Sequence, residues 1–137
     1  MYKKLLLPFF IIALCSAGAV YYYVFIYSAT HHRQAKDEVG ISITADSLSS
    51  KFSNNEKESN TTYLNKVLQV TGVIIATSTN QDGKTTLTVG SENSMTNVFV
   101  TLTNKQALQL GDHITIKGIC NGLLSDVVVV DAVILTQ

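Results

Sequence analysis

The side chains best equipped for chemistry are few and scattered. The 137-residue chain has three histidines, two cysteines and ten carboxylates. His31 and His32 are adjacent, but a metal site needs three or four convergent ligands, and no third donor follows at a ligating spacing. His113 opens an expected strand with neither a nucleophile nor a paired carboxylate beside it. Cys15 lies in an apolar run and Cys120 in an expected strand, so the two do not pair, and Cys120 reads as a small buried hydrophobe. Asp126 and Asp131 are five residues apart and flank a strand, which sends them to opposite faces. No glycine-rich phosphate loop is present. The residues therefore give no catalytic group and no metal site, and they imply no cofactor.

What remains is binding without reaction. The candidate binding face consists of Gln69, Thr71, Lys84 and Phe99, with Lys117 and Asn121 as the next choice. Amide, hydroxyl, ammonium and aromatic groups can hold a partner, although the same groups also make ordinary solvated surface. Charge narrows the field. From Asp37 onward six lysines face all ten acids, a net charge of −4. An acidic domain repels phosphate backbones at long range, which argues against a nucleic-acid partner. Eight of the eleven aromatics lie at or before Tyr27, leaving only Phe52, Tyr63 and Phe99 downstream. That is too few for a stacking platform.

The elements that must position these residues are five short strands, at 66–77, 85–89, 97–102, 113–121 and 127–135. In the first, Leu68, Val70, Gly72 and Ile74 share a face opposite Gln69 and Thr71. Mid-strand Gly72 and Gly118 predict bulges or tight bends, and Asp82-Gly83 predicts a hairpin turn. The third strand is expected to turn Val98, Val100 and Leu102 inward and Phe99 outward. The fourth turns Ile114, Ile116 and Cys120 inward and Lys117 outward. In the fifth, Asp131 must reach water, so Val128, Val130, Ala132 and Ile134 are expected inside. The stretch 103–110 has helical character, and its Ala107, Leu108 and Leu110 are expected to plug one end of a barrel. Five strands, a short helix between the third and fourth, and glycines in the long first and fourth strands predict an all-β unit, a five-stranded Greek-key barrel of the OB type; an open β-sandwich fragment is the runner-up, for which five strands are few.

Upstream, 43–66 reads as a leading helix, with its regular part at 44–62. Thr44 can cap it and Asp46 sits in its first turn. Leu48, Phe52 and Tyr63 fall on one narrow stripe, so the helix depends on docking, and its poor helix formers predict a break near Asn60. Residues 5–27 are apolar throughout, follow Lys3 and Lys4, and end in a cluster of tyrosines. That length and aromatic belt predict one N-terminal transmembrane helix. A cleaved signal at Ser16-Ala17-Gly18-Ala19 is the rival, but the apolar run continues past it to Tyr27. A lipoprotein signal at Cys15 needs a small preceding residue, and Leu14 is there instead. The expected organisation is an anchor at 1–28, a juxtamembrane linker at 29–42 and the barrel domain at 43–137. The short basic N-terminus predicts that end inside, which places the barrel outside the cytoplasm, on the periplasmic side of a bacterial inner membrane.

The run Leu48…Phe52…Asn55-Glu56…Tyr63-Leu64…Lys66-Val67…Val70-Thr71-Gly72-Val73 resembles the bacterial tRNA_anti-like OB-fold family. So does the run from Leu110-Gly111-Asp112 through Ile119-Cys120-Asn121-Gly122. The similarity covers roughly 43–135. Its motifs mark the fold and not an activity, and the resemblance implies small secreted or membrane-anchored proteins of unestablished function. It also implies a second cysteine opposite Cys120, and the strand Asn97-Val98-Phe99-Val100-Thr101 has none. An anchored extracytoplasmic OB domain is similar to the haem chaperones of cytochrome c maturation as well. After His113, however, this chain has neither the His nor the Tyr those require. The function expected is a non-catalytic, membrane-tethered binding module with an unknown protein or envelope partner. The alternative is a single-stranded nucleic-acid-binding OB domain.

Overall fold

A computed structural model describes residues 3–27 and 35–136. His31 and His32 lie outside the described residues. The chain forms two units, Met1–Arg33 and Gln34–Gln137. In the first, helix α1 (Lys3–Tyr21) continues into a wider π-type turn, Tyr22–Tyr27. Every described side chain of this unit is exposed, and Phe10–Tyr27 is long and apolar enough to cross a hydrocarbon core. Tyr21 packs on Phe25, with ring centroids 4.8 Å apart, and Tyr23 stacks on Tyr27 at 5.5 Å.

The second unit begins with a short turn, Ala35–Asp37. Then come β1 (Ile41–Thr44), α2 (Ala45–Asn54), α3 (Glu56–Tyr63), β2 (Val67–Thr79), β3 (Thr85–Val89), β4 (Val98–Leu102), β5 (His113–Leu123) and β6 (Val127–Thr136). Five strands close a barrel in the order β2–β3–β4–β6–β5 and back to β2. The β4–β6 pair is parallel and the others are antiparallel. This is the expected OB barrel. β1 is an addition to it, pairing parallel with the first half of β2 through Ile41↔Leu68 to Thr44↔Thr71. Residues 41–42 were expected in the linker and 43–44 at the start of the helix. The alternating Ile-Ser-Ile-Thr sequence favours an extended strand, and a Cβ on Gly40 would lie 3.3 Å from the backbone nitrogen of Gln69. Ala35, also expected in the linker, is buried where its turn meets β5 and β6, and Lys117 Nζ donates to the Lys36 carbonyl at 3.0 Å.

Thr44 caps α2 as expected, its Oγ1 accepting from Ser47 N–H at 3.3 Å. The helix breaks at Asn55 and not near Asn60. Asn55 N–H donates to the Lys51 carbonyl at 3.0 Å, closing α2, while its Oδ1 accepts from Glu58 N–H at 3.2 Å, opening α3. One residue therefore serves two helix ends, a role that suits Asn. Leu48, Phe52 and Tyr63 all reach the barrel core, with the Phe52 and Tyr63 rings 6.2 Å apart.

The expected plug at 103–110 is not helical. Only Leu108 packs against the core, while Ala107 and Leu110 are exposed. Gln106 spends its backbone groups on Thr85, whose Oγ1 donates to the Gln106 carbonyl and accepts from its N–H, both at 2.9 Å. That side-chain competitor draws the backbone away from a helix, and α2 and α3 already supply the large apolar side chains.

β6 corrects a second expectation. Val127, Val129 and Ala132 are buried, whereas Val128 and Val130 point outward and are half-buried. Asp131 has φ +49° and sits where the register with both β4 and β5 shifts. This bulge adds one residue, so the inward set changes phase across it. Gly72 and Gly118 mark close approaches. A Cβ on Gly72 would stand 2.6 Å from Val89 Cγ1, and one on Gly118 would stand 2.6 Å from Val129 Cγ1.

Candidate binding surfaces

The six residues proposed from sequence do not form one face. Gln69 lies opposite Lys117 across β2 and β5, with Ser42 of β1 on its other side. In the next such row Thr71 and Thr115 share a hydroxyl–hydroxyl hydrogen bond of 3.1 Å, with Thr44 beside Thr71. These rows make a polar ladder whose ammonium, Lys117, is engaged by the Lys36 carbonyl. Asn121 is exposed at the β5 irregularity between Cys120 and Gly122. Lys84 closes the hairpin, its N–H donating to Asn80 Oδ1 at 2.9 Å.

Phe99 belongs to a different surface. It lies opposite Thr88 on β3 and Val128 on β6, and is 37% exposed. Val128 and Val130 share its outward side, so β4 and β6 present an aromatic–aliphatic patch. Sequence reasoning missed the two valines because it set their phase from Asp131 and did not foresee the bulge.

A third surface was not anticipated at all. A groove of about 490 Å³ is lined by Val73 and Ile75 of β2, the 90–93 turn, Leu110, Gly111 and Asp46. Backbone bonds fix both of its loops to β2. Gly90 N–H donates to the Val73 carbonyl at 2.9 Å, and Gly111 N–H donates to the Ile74 carbonyl at 2.8 Å. Ile74 N–H returns a bond of 3.0 Å to the Asp112 carbonyl. Val73 and Ile75 are half-buried and Leu110 is 64% exposed. The charged groups of the lining are the exposed carboxylates of Asp46 and Glu92.

The tRNA_anti-like family model matches residues 1–134. This chain belongs to the tRNA_anti-like family. The match takes in the N-terminal helix as well as the barrel, beyond the 43–135 that the sequence resemblance covered. No curated protein matches the tRNA_anti-like chain. Among solved structures it is similar to one from Klebsiella pneumoniae subsp. pneumoniae MGH 78578, described as a "putative nucleic acid-binding lipoprotein". The two share 16% identity with a TM-score of 0.54, over 69% of this chain and 92% of that one. At that identity the likeness shows the fold.

In this tRNA_anti-like chain Cys120 is free and fully buried, and burial raises its thiol pKa, partly opposed by a backbone hydrogen bond at Gly122. A thiol so placed is a poor nucleophile. Among the described residues no three His, Cys, Asp or Glu side chains group as metal ligands would.

Proposed function

We propose that this protein is a non-catalytic, membrane-tethered OB-fold binding module. Residues 1–28 serve as the anchor in a bacterial inner membrane, with the N-terminus inside and the barrel outside the cytoplasm. The observation that carries the reading is the pairing of a wholly exposed apolar helix, Phe10–Tyr27, with a closed barrel whose interior is apolar. Its described charged groups are dispersed over the surface, where they can recognise a partner, and its buried titratable side chains, Cys120 and Tyr63, are part of the packed core. The partner class is a protein or envelope component. After cell breakage the full chain should pellet with membranes and resist alkaline carbonate; release into the wash would remove the tether.

A second reading, single-stranded nucleic-acid binding, is favoured by one observation. Phe99 stands half-exposed beside Thr88 on the strand pair that OB folds use for oligonucleotides. The description of the Klebsiella pneumoniae protein points the same way. Against it stand the net charge of −4 from Asp37 onward and the aliphatic neighbours of Phe99. Titrating the full chain in zwitterionic nanodiscs with a single-stranded oligonucleotide separates the two. Saturable, salt-sensitive methyl shifts at Val128 and Val130 would favour nucleic acid, and their absence favours the first reading.

A further inference from the structure

The groove beside β2 combines features that the polar ladder and the Phe99 patch lack. Its apolar walls, Val73, Ile75 and Leu110, are left open to solvent, while its loops are pinned to β2 on both sides by backbone hydrogen bonds. A concave site held this way needs little reorganisation when a ligand enters. Gly90 and Gly111, both at positive φ, spend their N–H groups on the Val73 and Ile74 carbonyls, which fixes the rim of the groove. Its charge is of one sign. Among the described residues Asp46 and Glu92 stand in the lining with no Lys, Arg or His beside them, while Asp112 follows Gly111. His113 lies across the strand pair from Val73 and is exposed.

We propose that this groove binds a basic, apolar segment of a partner protein, in which a Lys or Arg lies beside an aliphatic residue. The proposal rests on the reading of the barrel as a binding module and gives the chemistry of what it binds. Charge complementarity selects this occupant. Phosphate-bearing ligands are repelled by both carboxylates, and a neutral apolar ligand would leave them without a role. A basic segment lays its aliphatic side chain against Val73, Ile75 and Leu110 and brings its cation to Asp46 and Glu92. The net charge of −4 on the barrel side adds attraction at long range. The groove is lined by β2 and the 90–93 and 110–111 loops, and Phe99, Val128 and Val130 are not in that lining, so each surface has its own methyl or aromatic reporters.

The test uses the full chain in zwitterionic nanodiscs with labelled Ile, Leu and Val methyls. The probe is a capped hexapeptide alternating Leu and Lys, compared with one alternating Leu and Glu. Saturable shifts at Val73, Ile75 and Leu110 with the Lys peptide alone support the proposal. Affinity should fall about fivefold or more in the D46N/E92Q variant, the scale of two surface charge contacts. Both substituted side chains are exposed, and unchanged core methyl signals will report an intact fold. Shifts of equal affinity in D46N/E92Q, shifts with both peptides, or no shifts at these methyls would overturn the proposal. Failure here with a carbonate-resistant chain leaves the tethered-module reading standing. Binding here by a chain that carbonate releases would do the reverse.

Discussion

The helix pair α2–α3 and the 103–112 loop both lie against the barrel, and they treat apolar side chains in opposite ways. The helices drive Leu48, Phe52 and Tyr63 into the core. The loop contributes only Leu108 to it and leaves Leu110 exposed at the groove. The difference follows from what satisfies each backbone. The helices meet their own hydrogen bonds and are capped by Thr44 and Asn55, so their side chains are free to pack. The loop is tied through backbone groups to Thr85 and Ile74, which fixes its path and leaves its side chains outside. One region stabilises the barrel, and the other shapes its surface.

Substitutions that widen or erase this contrast test it. Phe52→Ala should have the largest effect, about 3–5 kcal/mol of stability lost to a buried aromatic cavity, read by denaturant unfolding of the full chain in detergent. Gly72→Val comes next. Its side chain would meet Val89 and the Ala45 Cβ that joins α2 to the barrel, and overpacking of this kind costs about 1–3 kcal/mol in the same assay. Asn55→Ala removes the side-chain cap of α3 while keeping the backbone N–H that closes α2, and should cost about 1 kcal/mol, with lost helical signal in circular dichroism. Leu110→Ala should change stability by less than about 0.5 kcal/mol, as surface substitutions do, while weakening the Lys peptide at the groove. If Leu110→Ala destabilised the chain as much as Phe52→Ala, the contrast would collapse.

Cys120 adds a pH test on the stabilising side. Its folded pKa lies above its unfolded value, so the folded state holds the proton more tightly. This contribution is complete below the ordinary thiol pKa and is lost as pH rises through the folded value. In a Cys15→Ala chain, Cys120 should resist a maleimide until the protein is denatured. Rapid native labelling would show that the barrel opens at β5.

The sequence was readable where local patterning and burial agree. The five barrel strands stood out by alternation, and the inward sets of β4 and β5 matched because no bulge changes their phase before Cys120. β6 went astray because the bulge at Asp131 is set by pairing with two other strands, which no local pattern reports. The break at Asn55 was written in Ser53-Asn54-Asn55, but Asn60 competed as a second weak point. β1 was hidden because four residues are too few to separate a strand from the helix start that follows. The groove was least legible, since Asp46, Glu92 and Leu110 converge only through the closed topology. Of the six proposed binding residues, only Phe99 lies on the patch with Val128 and Val130.

The most direct test of a membrane-tethered module outside the cytoplasm is the side of the membrane that the hairpin tip faces. Asp82 is exposed in the turn between β2 and β3, so a Cys15→Ala chain carrying Asp82→Cys offers one accessible thiol beyond the buried Cys120. Bacterial spheroplasts expressing it are treated with a membrane-impermeant maleimide. The account predicts labelling of intact spheroplasts equal to that after lysis. Labelling only after lysis would place the barrel in the cytoplasm and contradict it.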